Sequence, residues 1–287
     1  MAGLFSGLEQ FGLTNLENMD LFEQPKKEDP AQVQQKLDPV QLEKDFLFDK
    51  SYTCPVCDNE FKEKTVKMGK AKFLGSDMDL RPRYENVDML KYDILLCPKC
   101  GYASLGRFFK YLTSMQIKLV KDNISVAFRG EAKDEDEIYS YEKALGRYKL
   151  ALANAVVKKG KASEKAYICL KAAWLLRGMK ENLDQNDAEY KAKKEACEKE
   201  ELDFLKNAMD GFMAAKSSEG YPMCGMDEET VDYLIAVLAM QFGKYDISSK
   251  LIASILTSKD ANSRMKDKAR DVKELLVERY KRSKATS

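Results

Sequence analysis

Two short stretches decide how this chain folds: TCPVCDN at residues 53–59 and LCPKCGY at residues 96–102. Each contains a Cys-Pro-x-Cys turn, which points both sulfur atoms to the same side of the backbone. Two such turns placed face to face supply four thiolates in a tetrahedron, the arrangement that zinc accepts in closed sites. The spacing therefore predicts one metal site with four ligands: Cys54, Cys57, Cys97 and Cys100.

The residues around each cysteine pair fit this turn. Gly101 follows the second pair at a position where the chain often takes a positive φ, which glycine adopts without steric cost. Asp58 holds the matching position after the first pair, and aspartate tolerates positive φ better than most residues. Four thiolates around one divalent cation leave negative charge, and we expect nearby lysines to offset part of it. The candidates are Lys62, Lys64 and Lys99.

The predicted metal is structural. The 39 residues between Cys57 and Cys97 leave room for a hairpin or two, but such a segment has too little core to fold alone. Zinc binding contributes about 10–16 kcal/mol in model peptides, which is enough to hold a small fold together. Iron is the alternative, because a tetrahedral sulfur site also accepts it. Four thiolate ligands leave no open position for water, so we expect no catalysis at the metal.

Composition narrows the classes of function. The 287 residues include no histidine, which excludes Ser-His and Cys-His catalytic pairs and histidine ligands for a metal. The formal net charge of +1 gives no overall field that would draw in nucleic acid or an anionic membrane. No apolar run approaches the roughly 20 residues that cross a bilayer, so we expect a cytoplasmic protein without membrane insertion. In a reducing compartment, two tight cysteine pairs favour metal over disulfides.

Residues 1–45 are interpreted as an N-terminal segment and linker. Apolar and polar residues alternate irregularly over residues 1–22, an amphipathic pattern interrupted by Gly7 and Gly12. This segment either docks on another protein or lies against its own chain. Residues 23–40 are rich in Gln, Lys, Glu, Asp and Pro without a periodic pattern, which is typical of a linker.

Residues 46–130 are predicted to form a zinc-ribbon domain with a following helix. Thr113 and Gln116 make a capping-box pattern, which predicts a helix that runs to about Phe128. Short segments bounded by turn residues lie around the cysteine pairs and are typical of β-strands. They are Tyr52–Cys54, Thr65–Met68 and Lys91–Leu96.

Residues 131–287 are predicted to form a helical domain. Apolar spacings of three and four predict an antiparallel helix pair joined near residues 158–161, then a charged helix and a helix capped by Asp227. Two later helices separated by a Gly243-Lys-Tyr245 turn resemble a tetratricopeptide repeat, although Ala239 replaces its usual aromatic. An ordinary helical bundle is the alternative. The predicted fold class is therefore α+β and mostly α: a small β-rich zinc ribbon followed by an α-helical tetratricopeptide-like domain.

Several features occur in a fixed order along the chain: the stretch from Leu8 to Met19, Cys54-Pro-Val-Cys57, the Arg81-Pro82 and Tyr84 segment, Tyr92-Asp93 before Cys97-Pro-Lys-Cys100-Gly-Tyr-Ala103, and the closing Gly243-Lys-Tyr245. In this order the chain resembles the bacterial cytosolic proteins grouped as domain of unknown function 2225. The resemblance covers nearly the whole chain. The function of that family is not established, so the resemblance supports the architecture and adds little about activity.

These observations favour a non-enzymatic scaffold or adaptor that binds a protein partner through its helical domain. Two alternatives stay open. One is a nucleic-acid-binding ribbon, whose basic residues are interleaved with Phe73 and Tyr84 and diluted by acids. The other is an enzyme that uses carboxylates in a cleft that the sequence does not locate. The basic residues of the ribbon are Lys62, Lys64, Lys67, Lys70, Lys72, Arg81 and Arg83.

Overall fold

Short antiparallel hairpins occupy the first part of the fold. The computed structural model describes residues 39–131 and 137–285. A first hairpin pairs Leu47 with Val66 and Thr53 with Glu60, and a later one pairs Ile94 with Leu105 and Leu96 with Ala103. The elements of this part are α1 Pro39–Asp45, β1 Leu47–Thr53, β2 Glu60–Val66, β3 Phe73–Ser76, β4 Pro82–Tyr84, a 3-10 turn at Met89–Tyr92, β5 Ile94–Leu96 and β6 Ala103–Leu105.

Helices make up the rest. All described residues belong to one compact unit, and the predicted fold class, α+β and mostly α, is confirmed. Within the described ranges, no helix has the length and apolar character that crossing a membrane requires. The helices are α2 Ser114–Val120 with a following π turn at Lys121–Ser125, α3 Tyr141–Val157, α4 Ala162–Glu181, α5 Tyr190–Ser218, α6 Glu228–Gln241, α7 Tyr245–Thr257 and α8 Ser263–Ala285.

Helix ends follow the predicted capping residues. The Thr113 hydroxyl accepts a hydrogen bond from the Gln116 backbone N–H, and the Gln116 side chain accepts one from the Thr113 N–H. Asp227 caps α6 by accepting from the Thr230 N–H. Gly243 ends α6 with a φ of 70°, and the next N–H, of Lys244, reaches back to the Ala239 carbonyl. This is the glycine-terminated helix end in which left-handed backbone satisfies the last carbonyls.

The main core joins the helices to the second hairpin. Ile94, Leu96 and Leu105 of that hairpin belong to the same buried cluster as Leu170 and Leu175 of α4. Full burial of each such side chain stabilises the fold by roughly 1.5–3 kcal/mol. The second hairpin is therefore an integral part of the helical core.

Ion pairs attach the β3–β4 hairpin to the helices. Arg177 of α4 pairs with Asp79 at 2.7 Å and with Glu201 of α5 at 2.8 Å. Trp174 donates its ring N–H to the same Asp79 carboxylate. Because Asp79 is buried and Arg177 is the cation that pairs with it, losing Arg177 would leave this carboxylate without a cation, whereas Glu201 would keep Lys180 at 3.2 Å.

The structure differs from the sequence-based expectations in detail. Residues 39 and 40, expected in a linker, begin helix α1. The expected strand at Lys91–Leu96 is a 3-10 turn followed by β5, because Asp88 caps that turn by accepting from the Leu90 N–H. The amphipathic segment over residues 1–22 lies outside the described residues. The division into domains at 46–130 and 131–287, and the tetratricopeptide-like interpretation, stay predictions.

Candidate metal centre

Both cysteine pairs lie at the tips of hairpins, in turns of one design. We call β1–β2 the first cysteine hairpin and β5–β6 the second cysteine hairpin. In the first, the Asp58 N–H donates to the Cys54 carbonyl at 2.9 Å, and in the second the Gly101 N–H donates to the Cys97 carbonyl at 3.0 Å. Asp58 has a φ of 56° and Gly101 a φ of 72°, which confirms the positive φ expected after each pair.

The two tips bring the four sulfur atoms together. The sulfur of Cys54 lies 3.6 Å from that of Cys100, and the sulfur of Cys57 lies 3.6 Å from that of Cys97. All four sulfur atoms lie within 4.8 Å of one another. A tetrahedral site with metal–sulfur bonds of about 2.3 Å has sulfur–sulfur edges of about 3.8 Å, so the observed spacing fits one metal ion. The cluster could therefore hold a metal through the four cysteines predicted from the sequence.

Hydrogen bonds among the thiols show that they act as one group. Contacts with the Cys100 thiol and then with the Cys54 thiol lower the pKa of the Cys97 thiol well below its usual value. Contacts with Cys54 and Cys97, together with burial, raise the pKa of Cys100. For Cys54, the contact with Cys100 lowers the pKa, but the contact with Cys97 and burial outweigh it and raise the pKa to about 12. A cation that binds all four sulfurs would therefore displace protons from the cluster.

An apolar shell surrounds the sulfur atoms. Cys54, Cys97 and Cys100 are buried, and Cys57 is partly exposed. The Phe109 ring packs 4.9 Å from the Tyr102 ring and 5.9 Å from the Phe61 ring, measured between centroids. The buried Tyr102 also donates its hydroxyl to the Phe109 carbonyl at 3.2 Å. This shell limits solvent access to the cluster, as is typical of a structural site.

Helix α3 anchors both cysteine hairpins. Asn154 donates its side-chain amide to the Gly101 carbonyl at 3.0 Å, which ties α3 to the second hairpin. Arg147 pairs with Glu63 of β2 at 2.9 Å, and Tyr139, just before α3, donates its hydroxyl to the same carboxylate at 2.6 Å. The Arg147 and Glu63 side chains are each only 6% exposed, so this anchor is a buried ion pair.

Sequence reasoning missed this buried ion pair. The available signal was the strand pattern of β2, in which Glu63 shares a face with Phe61 and so points toward the core. An acid on the buried face of a strand requires a cationic partner. Nothing in the local sequence identifies Arg147, which lies 84 positions along the chain.

The expected basic surface of the ribbon is only partly present. Lys62, Lys67, Lys70 and Lys72 are exposed. Arg81, by contrast, is buried and pairs with Glu181 at 3.0 Å. Arg83 pairs with Asp77 and with Glu181. These ion pairs neutralise two of the cations on which the nucleic-acid alternative relied, through Asp77 of the same hairpin and Glu181 of α4.

The lysines expected to offset thiolate charge differ in position, since Lys99 lies between Cys97 and Cys100 in the second turn and Lys62 and Lys64 lie on β2. Lys64 is partly buried and Lys99 is exposed, and among the described residues no ion pair involves Lys62, Lys64 or Lys99. Their expected role in offsetting thiolate charge stays a prediction.

Cys169 and Cys197 are buried, and burial raises the pKa of Cys169 to about 11. Cys224 donates its thiol to the Ser163 carbonyl.

Replacing Gly101 with alanine is expected to destabilise the second cysteine hairpin. Left-handed backbone costs a non-glycine residue roughly 1–2 kcal/mol, and the added Cβ would lie 2.5 Å from Cγ of Phe128. Urea unfolding should show a loss of about that size or more. Gly146→Ala in α3 is the matched control, because its Cβ meets nothing within 4 Å and alanine favours helix. Equal stability of the two variants would contradict the assigned role of Gly101.

Comparison with known proteins places the chain in a family. Neither the curated proteins nor the solved structures gave a match to it. The model of a family described as uncharacterized protein conserved in bacteria, domain of unknown function 2225, matches residues 47–276. The matched range starts at β1, ends within α8 and includes both cysteine pairs. The chain therefore belongs to the bacterial family of domain of unknown function 2225.

Proposed function

We propose that this protein is a zinc-stapled cytoplasmic scaffold, or adaptor, that binds a protein partner through its helical part. The observation that carries the proposal is the closed cluster of four sulfur atoms within 4.8 Å of one another. A site of four thiolates leaves no position for a substrate or an activated water. The metal would then stabilise the fold, and partner binding would use the surface of the folded protein.

Zinc suits this site better than iron. Both metals accept four thiolates in a tetrahedron, so the sulfur geometry does not separate them. Zinc has no redox chemistry, however, and a buried structural site needs none. Three of the four cysteines are buried behind the aromatic shell of Tyr102, Phe109 and Phe61. We therefore propose Zn²⁺ as the cofactor and keep iron as its alternative.

A cavity beside the helices supports the choice of a protein partner. It has a volume of about 330 Å³ and lies between the β3–β4 hairpin, α6 and α8. Met78, Val237 and Met240 form its apolar lining, and its polar lining consists of Gln241, Arg279 and the paired Asp79, Arg177 and Glu201. Methionine side chains adapt to different shapes, which suits a surface that accepts an apolar side chain of a peptide or helix.

Elemental analysis should find about one zinc per chain in the purified protein. Cys57→Ser is the sharper test, because Cys57 is the most exposed of the four ligands and its loss leaves a three-sulfur site. We expect this variant to lose most of its zinc. Cys224→Ser should keep a full complement, because serine preserves the hydrogen bond to the Ser163 carbonyl. Stoichiometric iron with a red colour would replace the zinc assignment, and equal zinc in both variants would refute the site.

Metal removal should release the first cysteine hairpin before the second. Residues 94–105 belong to the main helical core, whereas residues 47–66 are held by the sulfur cluster, the Glu63–Arg147 pair and a smaller apolar cluster that contains Leu47 and Val66. After treatment with a strong chelator, hydrogen exchange should accelerate first over residues 47–66, while α4 and α6 keep their protection. Unchanged exchange, or an equal loss of protection everywhere, would show that the metal does not staple these hairpins.

Met78→Glu should abolish capture of the protein partner. Met78 is 38% exposed and lines the proposed cavity, so a carboxylate there would oppose an apolar side chain. Affinity capture from native cytosol with the wild type, followed by mass spectrometry, would identify what is retained. Met68→Glu is the matched control, because Met68 is 65% exposed and lies outside that cavity. Partners retained equally by both variants would exclude this cavity as the binding site.

A further inference from the structure

Helix α8 has an unusual distribution of charge. It carries nine Lys or Arg against four Asp or Glu, a net charge of +5 in a chain whose total is +1. Helix α5, which is also highly charged, carries six of each sign. A face that serves only to be solvated has no need for an excess of one sign.

Five of the nine cations of α8 share one face of the helix, beside a row formed by its four acids. Residues three and four apart are neighbours on a helix surface, about 5–6 Å from one another. Steps of this kind lead through positions 266, 270, 273, 277, 281 and 284, and we call this row the α8 stripe. It consists of Lys266, Arg270, Lys273, Val277, Lys281 and Lys284, and it contains no acid. The four acids of α8 lie outside this row, at positions 267, 271, 274 and 278.

The stripe is available to a ligand. Five of its six residues are exposed, and Lys266 is partly exposed. Arg270 pairs with Asp267 on the same helix. Among the described residues, Lys266, Lys273 and Lys281 have no ion pair. With a rise of 1.5 Å per residue, the stripe extends about 27 Å along the helix.

An exposed aromatic ring lies beside the stripe. Tyr280 is 42% exposed, and its ring packs edge-on against Tyr245 of α7 with centroids 5.7 Å apart. The ammonium of Lys284 lies 4.8 Å from the Tyr280 centroid, so the ring already attracts a cation from the stripe. Exposed aromatic rings among cations are the platform on which nucleic-acid bases stack while their phosphates meet Lys and Arg.

The remaining side of α8 argues against a membrane as the ligand. Ala269, Val272 and Leu276 face the core that α8 shares with α6 and α7. A helix that lies in a lipid surface must insert an apolar face, and here that face is already used inside the protein. Among the described residues of α8, the exposed large apolar side chains are Val277, within the stripe, and Tyr280, beside it.

We propose that the α8 stripe binds a single-stranded polynucleotide, with its lysines on successive phosphates and Tyr280 stacked on a base. The surface differs from the ribbon considered from the sequence, whose Arg81 is buried and whose Arg83 is paired. It includes none of the four cysteines and none of the residues that line the cavity at Met78. RNA and DNA share the phosphate and base chemistry used here, so the test includes both.

The test uses the full-length protein with fluorescein-labelled 20-nucleotide RNA and DNA of mixed sequence, followed by anisotropy at several salt concentrations. The triple variant Lys266→Gln, Lys273→Gln, Lys281→Gln should weaken binding at least tenfold near 50 mM salt. It should also reduce the slope of log K against log salt by about 2, since each phosphate contact contributes about 0.7 for a single strand. The nucleic acid that the protein binds with higher affinity, RNA or DNA, is the preferred ligand.

The matched control removes the same charge elsewhere. Lys191, Lys199 and Lys206 are exposed lysines of α5, and their change to glutamine should leave binding within about twofold. Tyr280→Ala should weaken binding about fivefold or more through lost stacking, whereas Tyr280→Phe should keep it. Circular dichroism and urea unfolding of each variant separate lost binding from lost structure.

Three results would overturn the proposal. The first is no binding of either nucleic acid near 50 mM salt. The second is a loss in the α5 control as large as in the stripe variant. The third is binding to vesicles of one-third phosphatidylserine, abolished by the stripe variant, without binding to nucleic acid. None of these outcomes would affect the zinc analysis or the partner capture, so the two proposals fail separately.

Discussion

The meeting of two hairpin tips at four sulfur atoms is the constraint on which the first half of the structure depends. The second cysteine hairpin is built into the helical core through Ile94, Leu96 and Leu105, while the first is attached by fewer buried contacts. Two short strands on their own are marginal in water. A link between the tips therefore ties the first hairpin, whose Leu47 and Val66 pack only in a small apolar cluster, to a hairpin that is part of the helical core.

Local chemistry explains which features could be predicted from the sequence. The cysteine turns, the Asp227 cap and the Gly243 helix end each depend on residues a few positions apart, so their geometry can be read from a short stretch. The ion pairs between Arg147 and Glu63 and between Arg81 and Glu181 join residues 84 and 100 positions apart. Which acid meets which cation depends on how the helices pack, and a single sequence contains no local trace of that packing.

The same limit affects the interpretation of surface charge. Arg81 and Arg83 look like part of a basic surface when counted along the ribbon, yet Glu181 of α4 meets both. In α8, by contrast, the cations of one side are not all met by acids, and an excess of positive charge remains there after folding. The net charge of +1 for the whole chain does not distinguish the paired arginines of the ribbon from the excess cations of α8. Only the placement of acids and bases in three dimensions separates a charge that serves the fold from one that is left for a ligand.

The buried charges and the sulfur cluster differ in role from the exposed side chains. The buried ions at Glu63, Asp79 and Glu201 each have an arginine partner, and removing one partner of such a pair leaves an uncompensated buried charge. The sulfur cluster lies behind an aromatic shell, where a bound metal would meet little solvent. Groups that are buried from solvent stabilise the fold but cannot contact a partner, so recognition must use exposed groups. We propose that this chain uses the cavity beside α6 and the charged side of α8.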